Sequence, residues 1–252
     1  MTAVFLTAEW RRLAMLNYRV PRELLLPLVP RGTTLDVWRG AAYVSVVGFL
    51  FRNTRIFGFR VPLHGLFEEV NLRFYVRREA GSEIRRGVTF IRELVPRPAV
   101  SILARLAYNE PYRTVPMRNR MGMIGPSGRP MSVEYAWRVS NEWCGMRLFP
   151  EGEAYVPEPG SEEEFITSHH WGYTRRRLGG TTEYRVRHPT WRVWRGAHGL
   201  VVGDLSELYG NDFAAVLAQA PHSAYYADGS RVAVHRPVRV HLRRFPWAVT
   251  AV

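Results

Sequence analysis

The 252-residue sequence contains no lysine. All 35 of its permanently cationic side chains are arginine, set against 22 acidic ones, for a formal net charge of +13. Arginine stays protonated under ordinary conditions and is a poor nucleophile. Lysine Schiff bases, a pyridoxal-phosphate lysine and a P-loop lysine are therefore all excluded. Within these residues only a free chain terminus would offer a primary amine. The single cysteine, Cys144, rules out an internal disulfide. The longest apolar run, Ala41 to Phe51, stops at Arg52 and is too short to span a bilayer. Glu9, Arg11 and Arg12 interrupt the first apolar stretch, unlike a secretory signal. HExxH, GxSxG and GxGxxG patterns are missing too. The expectation is a cytoplasmic protein with no membrane partner, no bound metal and no cofactor.

What is present fits an ordinary folded chain, 46% hydrophobic and 13% aromatic. No linker divides it, so residues 1–252 read as one domain. The arginines are scattered, with one triplet at Arg175–Arg177. A dedicated nucleic-acid binder would more often concentrate them in a stripe or tail, so the scatter disfavours that partner.

Thr7 is placed to cap a short helix with Trp10, Leu13, Ala14 and Asn17 on one face. A second short helix is expected from Arg22 to Val29, weakened by Pro27. The period then changes to two. Thr33–Trp38 and Ala42–Arg52 read as strands across Arg39-Gly40; Phe67–Arg78 and Arg86–Val95 read as a pair across the 79–82 turn. Pro98–Tyr108 reads as helical. Tyr112–Arg120, Met131–Val139 and Glu142–Phe149 read as further strands. Ser161 to Glu164 forms a capping box for a helix reaching about His169. Trp171–Arg177 and Thr181–His188 follow as a hairpin, and Thr190–Arg195 continues the strand region. Gly203–Ala220 predicts one long helix, and Asp228-Gly229 a closing hairpin between Ser223–Tyr226 and Arg231–His235. The fold class is α+β: a curved, largely antiparallel barrel or cone with a few peripheral helices.

The sharpest local pattern is Phe67–Arg78. Val70, Leu72, Phe74 and Val76 point one way; Glu69, Asn71, Arg73 and Tyr75 point the other. The polar file either faces water or lines a barrel interior, and alternation alone does not choose. Inside a barrel, Arg73 would anchor an anion, Glu69 would move a proton as the catalytic group, and Asn71 or Tyr75 would polarise a carbonyl. Of Arg92-Glu93 on the next strand, at most one shares that interior. His170 and Tyr173, beside His169 and Trp171, are further candidates for binding a ligand; neighbouring histidines do not share a face, which argues against a metal.

Several stretches together resemble the DUF2071 family of uncharacterised bacterial proteins, with its YqjF-like members. They are 6–11, 16–18, 42–49, 69–76, 170–173, 183–186 and 188–191. That family lies in the acetoacetate-decarboxylase-like superfamily. The resemblance implies a curved antiparallel barrel or cone with a ligand cavity, and it suggests a homo-oligomer. The superfamily's best-known enzymes work through a lysine imine, which this sequence cannot form. What the resemblance leaves is a small carbonyl or carboxylate ligand, met either by a lyase-like enzyme without a Schiff base or by a non-catalytic binding module. Binding of nucleic acid or an acidic partner by the arginine surface is a third alternative.

Overall fold

A computed structural model describes residues 2–61, 65–125 and 127–240. Its strands are β1 (Val4–Val20), β2 (Thr34–Leu35), β3 (Ala42–Ile56), β4 (Phe59–Arg60), β5 (Leu66–Ala80), β6 (Glu83–Val95), β7 (Tyr112–Thr114), β8 (Met117–Met121), β9 (Val133–Val139), β10 (Glu142–Tyr155), β11 (Trp171–Arg175), β12 (Thr181–Arg187), β13 (Val193–Val202), β14 (Ser223–His235) and β15 (Val238–Arg239). The helices are short: α1 (Arg22–Leu25), α2 (Pro98–Ala107), α3 (Glu162–Thr167), α4 (Ser206–Tyr209) and α5 (Asn211–Leu217). Among the described residues no helix is long and apolar enough to cross a membrane.

Seven strands bond in a ring, β1-β3-β5-β6-β11-β12-β14, which β14 closes back onto β1. The closing contact is small, Val186 opposite Val234 and Arg187 opposite Ala233. Pairing around the ring is antiparallel except between β6 and β11. A second arm, β13-β10-β9-β8, leaves β14 at its other half, where Trp194 meets Tyr226. One long strand thus serves both the ring and the arm.

That geometry gives the chain two cores. Leu13, Met15, Val47, Phe49, Phe67 and Ile166 pack inside the ring. Leu16, Val46, Leu72, Phe74, Trp137 and Met146 pack between the ring's outer face and the arm, with Leu208 and Phe213 of the helices beside them. Both faces of β5 are therefore covered, and the polar file faces the ring interior rather than open water. This is the arrangement that a sheet needs when burial on both sides outweighs the cost of ordering it.

Three expectations from the sequence are corrected here. The segment expected as an N-terminal helix is β1. Its misleading spacing comes from a bulge: Arg12 has φ 59, and the register against β3 slips between Arg11 and Ala14. The slip puts both Trp10 and Leu13 against the interior, three residues apart, which imitates a helical face. The expected closing hairpin is one strand, β14, because Gly229 (φ 92) kinks it opposite that bulge instead of reversing it. The expected long helix is two, broken at Gly210 with φ 79. Smaller shifts follow turn chemistry. Tyr112–Arg120 divides at Val115-Pro116 into β7 and β8, and Thr33–Trp38 shortens to β2. The capping box forms as expected, Ser161 Oγ accepting from Glu164 N at 3.2 Å, but α3 ends at Thr167, before His169.

Candidate functional site

The ring encloses a cavity of about 220 Å³. Aromatic side chains supply much of its apolar wall, among them Trp10 from β1, Phe49 and Phe51 from β3, Phe90 from β6, Trp171 from β11, and Trp191. Polar groups enter at defined places. Glu69, Asn71 and Arg73 come from alternate positions of β5. Glu93 stands on β6 directly opposite Asn71. A register slip at Leu72/Arg73 skips Ile91, so Phe90 and Glu93 both face inward although three residues separate them. Glu110 follows α2, Tyr112 begins β7, and Tyr184 lies on β12.

The three glutamates are buried and none has an ion-pair partner among the described residues. Their partners are neutral. Tyr112 donates to Glu69 Oε2 at 2.9 Å and Asn71 Nδ2 donates to Glu69 Oε1 at 3.2 Å. Tyr184 donates to Glu110 Oε1 at 2.7 Å, and the Thr174 hydroxyl donates to the same oxygen. Glu93 Oε2, Glu110 Oε2 and Asn71 Oδ1 have no partner among the described residues. Burial pushes the Glu69 carboxyl up to about 7, the hydrogen bonds from Tyr112 and Asn71 pulling back only in part. Burial likewise lifts Glu110 to about 7 against its hydrogen bonds from Thr174 and Tyr184. Burial, then the nearby charges of Glu110 and Glu69, hold Glu93 well above the usual carboxylate range. The site therefore keeps carboxyl protons at a pH where exposed glutamates have lost theirs.

Arg73 is half-buried. One of its terminal nitrogens donates to Ile166 O at 3.1 Å, and its Nε has no partner. Trp10 Nε1 is also unpartnered. Two histidines line the wall, His169 and His188. His169 Nε2 meets Asp36 Oδ2 at 3.2 Å, where Arg86 Nε also donates at 2.9 Å. Burial outweighs the Asp36 contact and lowers His169 to about 4, leaving its Nδ1 unpartnered. His188 stacks on Trp191 with centroids 4.1 Å apart, and burial lowers it to about 4 as well.

The structure places Glu69, Asn71 and Arg73 on the cavity wall, and Tyr75, His170 and Tyr173 outside it. Tyr75 continues the file inward but ends in the core, its hydroxyl 2.6 Å from Ser45 Oγ. His170 sits behind His188, ring centroids 4.6 Å apart. Tyr173 faces the opposite way from Gly172 on β11 and donates to Glu183 Oε2 at 2.9 Å, in an ion-pair cluster with Arg78 and Arg85. Gly172 itself faces the cavity; a Cβ there would stand 2.1 Å from Tyr184 Cζ. Glu93, Glu110, Tyr112, Tyr184, His169 and His188 also line the wall. Of these, Glu93 carried a sequence signal through its place on the strand after β5, and Glu110 a weaker one through its place at the end of a helix near the sheet. Cys144 packs in the outer core with its thiol pushed up by burial.

The sequence pattern of DUF2071, described as an uncharacterized conserved protein, matches residues 7–231. No curated protein matches the chain. Solved structures that are similar include the enduracididine biosynthesis enzyme MppR complexed with pyruvate, at TM-score 0.65 and 13% identity, covering 95% of this chain and 91% of that one. An acetoacetate decarboxylase-like enzyme from Sphingomonas wittichii RW1 is similar at TM-score 0.64 and 14% identity, over 95% and 94% of the two chains. Acetoacetate decarboxylase from Legionella pneumophila gives TM-score 0.63 and 11% identity, over 93% and 87%. At these identities the likeness shows the fold, an acetoacetate-decarboxylase-like one.

Proposed function

The chain belongs to the DUF2071 family, and from that premise we propose that its ring cavity takes a small carbonyl or carboxylate compound and performs lyase-like acid–base chemistry on it without a Schiff base. The observation that carries the proposal is one cavity holding an arginine with a free N–H and carboxyls that titrate near neutrality. Arg73 anchors the ligand's carboxylate by its guanidinium. Asn71 donates to the carbonyl oxygen as charge develops there. Glu69, in its ionised form, accepts a proton from the carbon next to that carbonyl, the transfer that opens an elimination when the ligand carries a leaving group; without one, the proton returns to the same carbon and only exchange is seen. The aromatic wall excludes water and strengthens each of these contacts. Pyruvate bound by one structural relative supports the ligand class, while the absence of lysine separates this mechanism from an imine-forming one.

The test uses 2-oxobutanoate in deuterium oxide, followed by NMR. Deuterium is expected to replace the protons at its third carbon. Glu69→Gln should retain binding and slow exchange at least about 100-fold, the usual range for a lost acid–base group. Arg73→Met should weaken binding at least about tenfold. Binding without exchange would favour a non-catalytic module in the same cavity. Failure to bind any 2-oxo acid would remove the proposed ligand class. Borohydride added to the mixture should leave no adduct beyond a chain-terminal amine.

A further inference from the structure

Three buried acids in one cavity need a reason. Buried carboxylates are normally paired with a cation or a metal, yet Arg73, the arginine that lines this wall, donates to Ile166 O and not to any of them. The unpartnered atoms divide by kind. Glu93 Oε2, Glu110 Oε2 and Asn71 Oδ1 are acceptors, each on a residue at least nine-tenths buried. Arg73 Nε and Trp10 Nε1 are donors. The cavity therefore presents an acceptor-rich region and a donor-bearing one. Glu69 and Arg73 are four residues apart on β5, which is about 13 Å along a strand at about 3.3 Å per residue. Asn71 and its opposite number Glu93 lie between them. Phe90, Tyr112, Tyr184 and Trp171 supply aromatic faces of the kind that attract a flat cation.

We propose that Glu93 and Glu110, the two acids with orphan acceptors, form a subsite for a flat, N–H-rich cation, such as a guanidinium or amidinium group, on a ligand whose carboxylate reaches Arg73, while Glu69 keeps its acid–base role. This rests on the cavity being a small-ligand site and narrows its ligand to a bipolar compound with a short aliphatic spacer. The cation satisfies the orphan acceptors, and its several donors match their number. Its charge offsets the repulsion that three carboxylates would otherwise exert on each other.

A linkage follows. Glu110 holds its proton up to about pH 7, so a bound cation must displace it. Affinity should rise with pH from 5 upward, on the order of tenfold per pH unit for each proton released. The other groups facing the cluster do not imitate this. His169 and His188 titrate at about 4. Tyr108, Tyr112 and Tyr184 are raised above the ordinary phenol range, and Arg73 stays charged.

Calorimetry with two isosteric probes tests the proposal. 4-Guanidinobutanoate carries both charges; 4-ureidobutanoate keeps the shape and the carboxylate but is neutral at the head. The guanidino probe should bind at least about tenfold tighter at pH 8. Its binding heat should vary with buffer in the sense of proton release, and Glu93→Gln or Glu110→Gln should erase the preference. Equal, pH-independent binding of both probes, weakened by Arg73→Met, would overturn the cation subsite and leave the carboxylate site standing. If neither probe binds while 2-oxobutanoate does, the cation subsite is rejected and the carboxylate site stands; if 2-oxobutanoate fails as well, both are rejected.

Discussion

Glu110→Gln is expected to stabilise the protein by on the order of 3 kcal/mol at pH 8 and to change it little at pH 4. The sign follows from proton binding. The Glu110 carboxyl titrates at about 7 in the folded chain, chiefly because it is buried, against an ordinary 4.5 when unfolded. Between those values the folded chain holds a proton that the unfolded chain has lost, so stability falls as pH rises. Below 4.5 both states are protonated and the group contributes nothing. Above 7 the loss has reached its full size, about 1.4 kcal/mol for each pH unit that separates the folded and unfolded titrations. Glutamine keeps the acceptor that Tyr184 and Thr174 use but has no charge to bury. The difference between variant and wild type is the quantity to follow, by urea unfolding across pH 4–8. His169 and His188, neutral in the folded chain down to about 4, push the whole-protein curve the opposite way below 6.5. A difference that stays flat with pH would mean Glu110 is not buried as a protonated acid.

Gly229→Ala is expected to cost about 3–5 kcal/mol, a large share of the stability of an average domain. Two costs combine. Gly229 has φ 92, where a Cβ is strained by itself. The added Cβ would also lie 2.0 Å from Trp10 O and 2.6 Å from Leu13 Cδ1. The first of those atoms is backbone, so it cannot swing aside. The collision falls where β1 and β14 kink together, the point that aims Trp10 and Leu13 into the cavity. Thermal unfolding with circular dichroism would detect it. A melting temperature within a degree or two of wild type would show that the kink is loosely held.

Much of the ring was legible in the chain. The period-two file from Val70 to Val76 predicts β5 and both its faces, and the turns at Arg39-Gly40 and Gly81 follow from residues that accept positive φ. The family resemblance and the curved, largely antiparallel fold agree with the matched pattern and the structural relatives. Where the reading failed, a bulge had shifted the phase. Arg12 made β1 look helical, and Gly229 looked like a turn because a kink and a reversal use the same residue types.

The site was legible only on β5. Glu69, Asn71 and Arg73 share a strand, so their alignment is a local fact. Tyr75 obeys the same alternation but lies one pleat beyond the cavity's end, a limit set by Phe165 and His169 packing against its ring. His170 and Tyr173 lie off the cavity wall, and their neighbours His169 and Gly172 are the ones that face inward. Glu93 and Glu110 reach Glu69 through a parallel β6–β7 pairing and a loop after α2. No periodicity in a single sequence encodes such long-range convergence.

Carboxyl titration by NMR, with carbon-13 placed at the side-chain carboxyl of glutamate, is the decisive measurement for the proposed chemistry. Glu69→Gln, Glu93→Gln and Glu110→Gln assign the three signals. Glu69 and Glu110 are expected to change at about pH 7, and Glu93 above the ordinary carboxylate range. All three glutamates titrating between about 4 and 5, like exposed ones, would refute it: the ring would then hold a wet, ionised pocket with no acid–base group poised near neutrality.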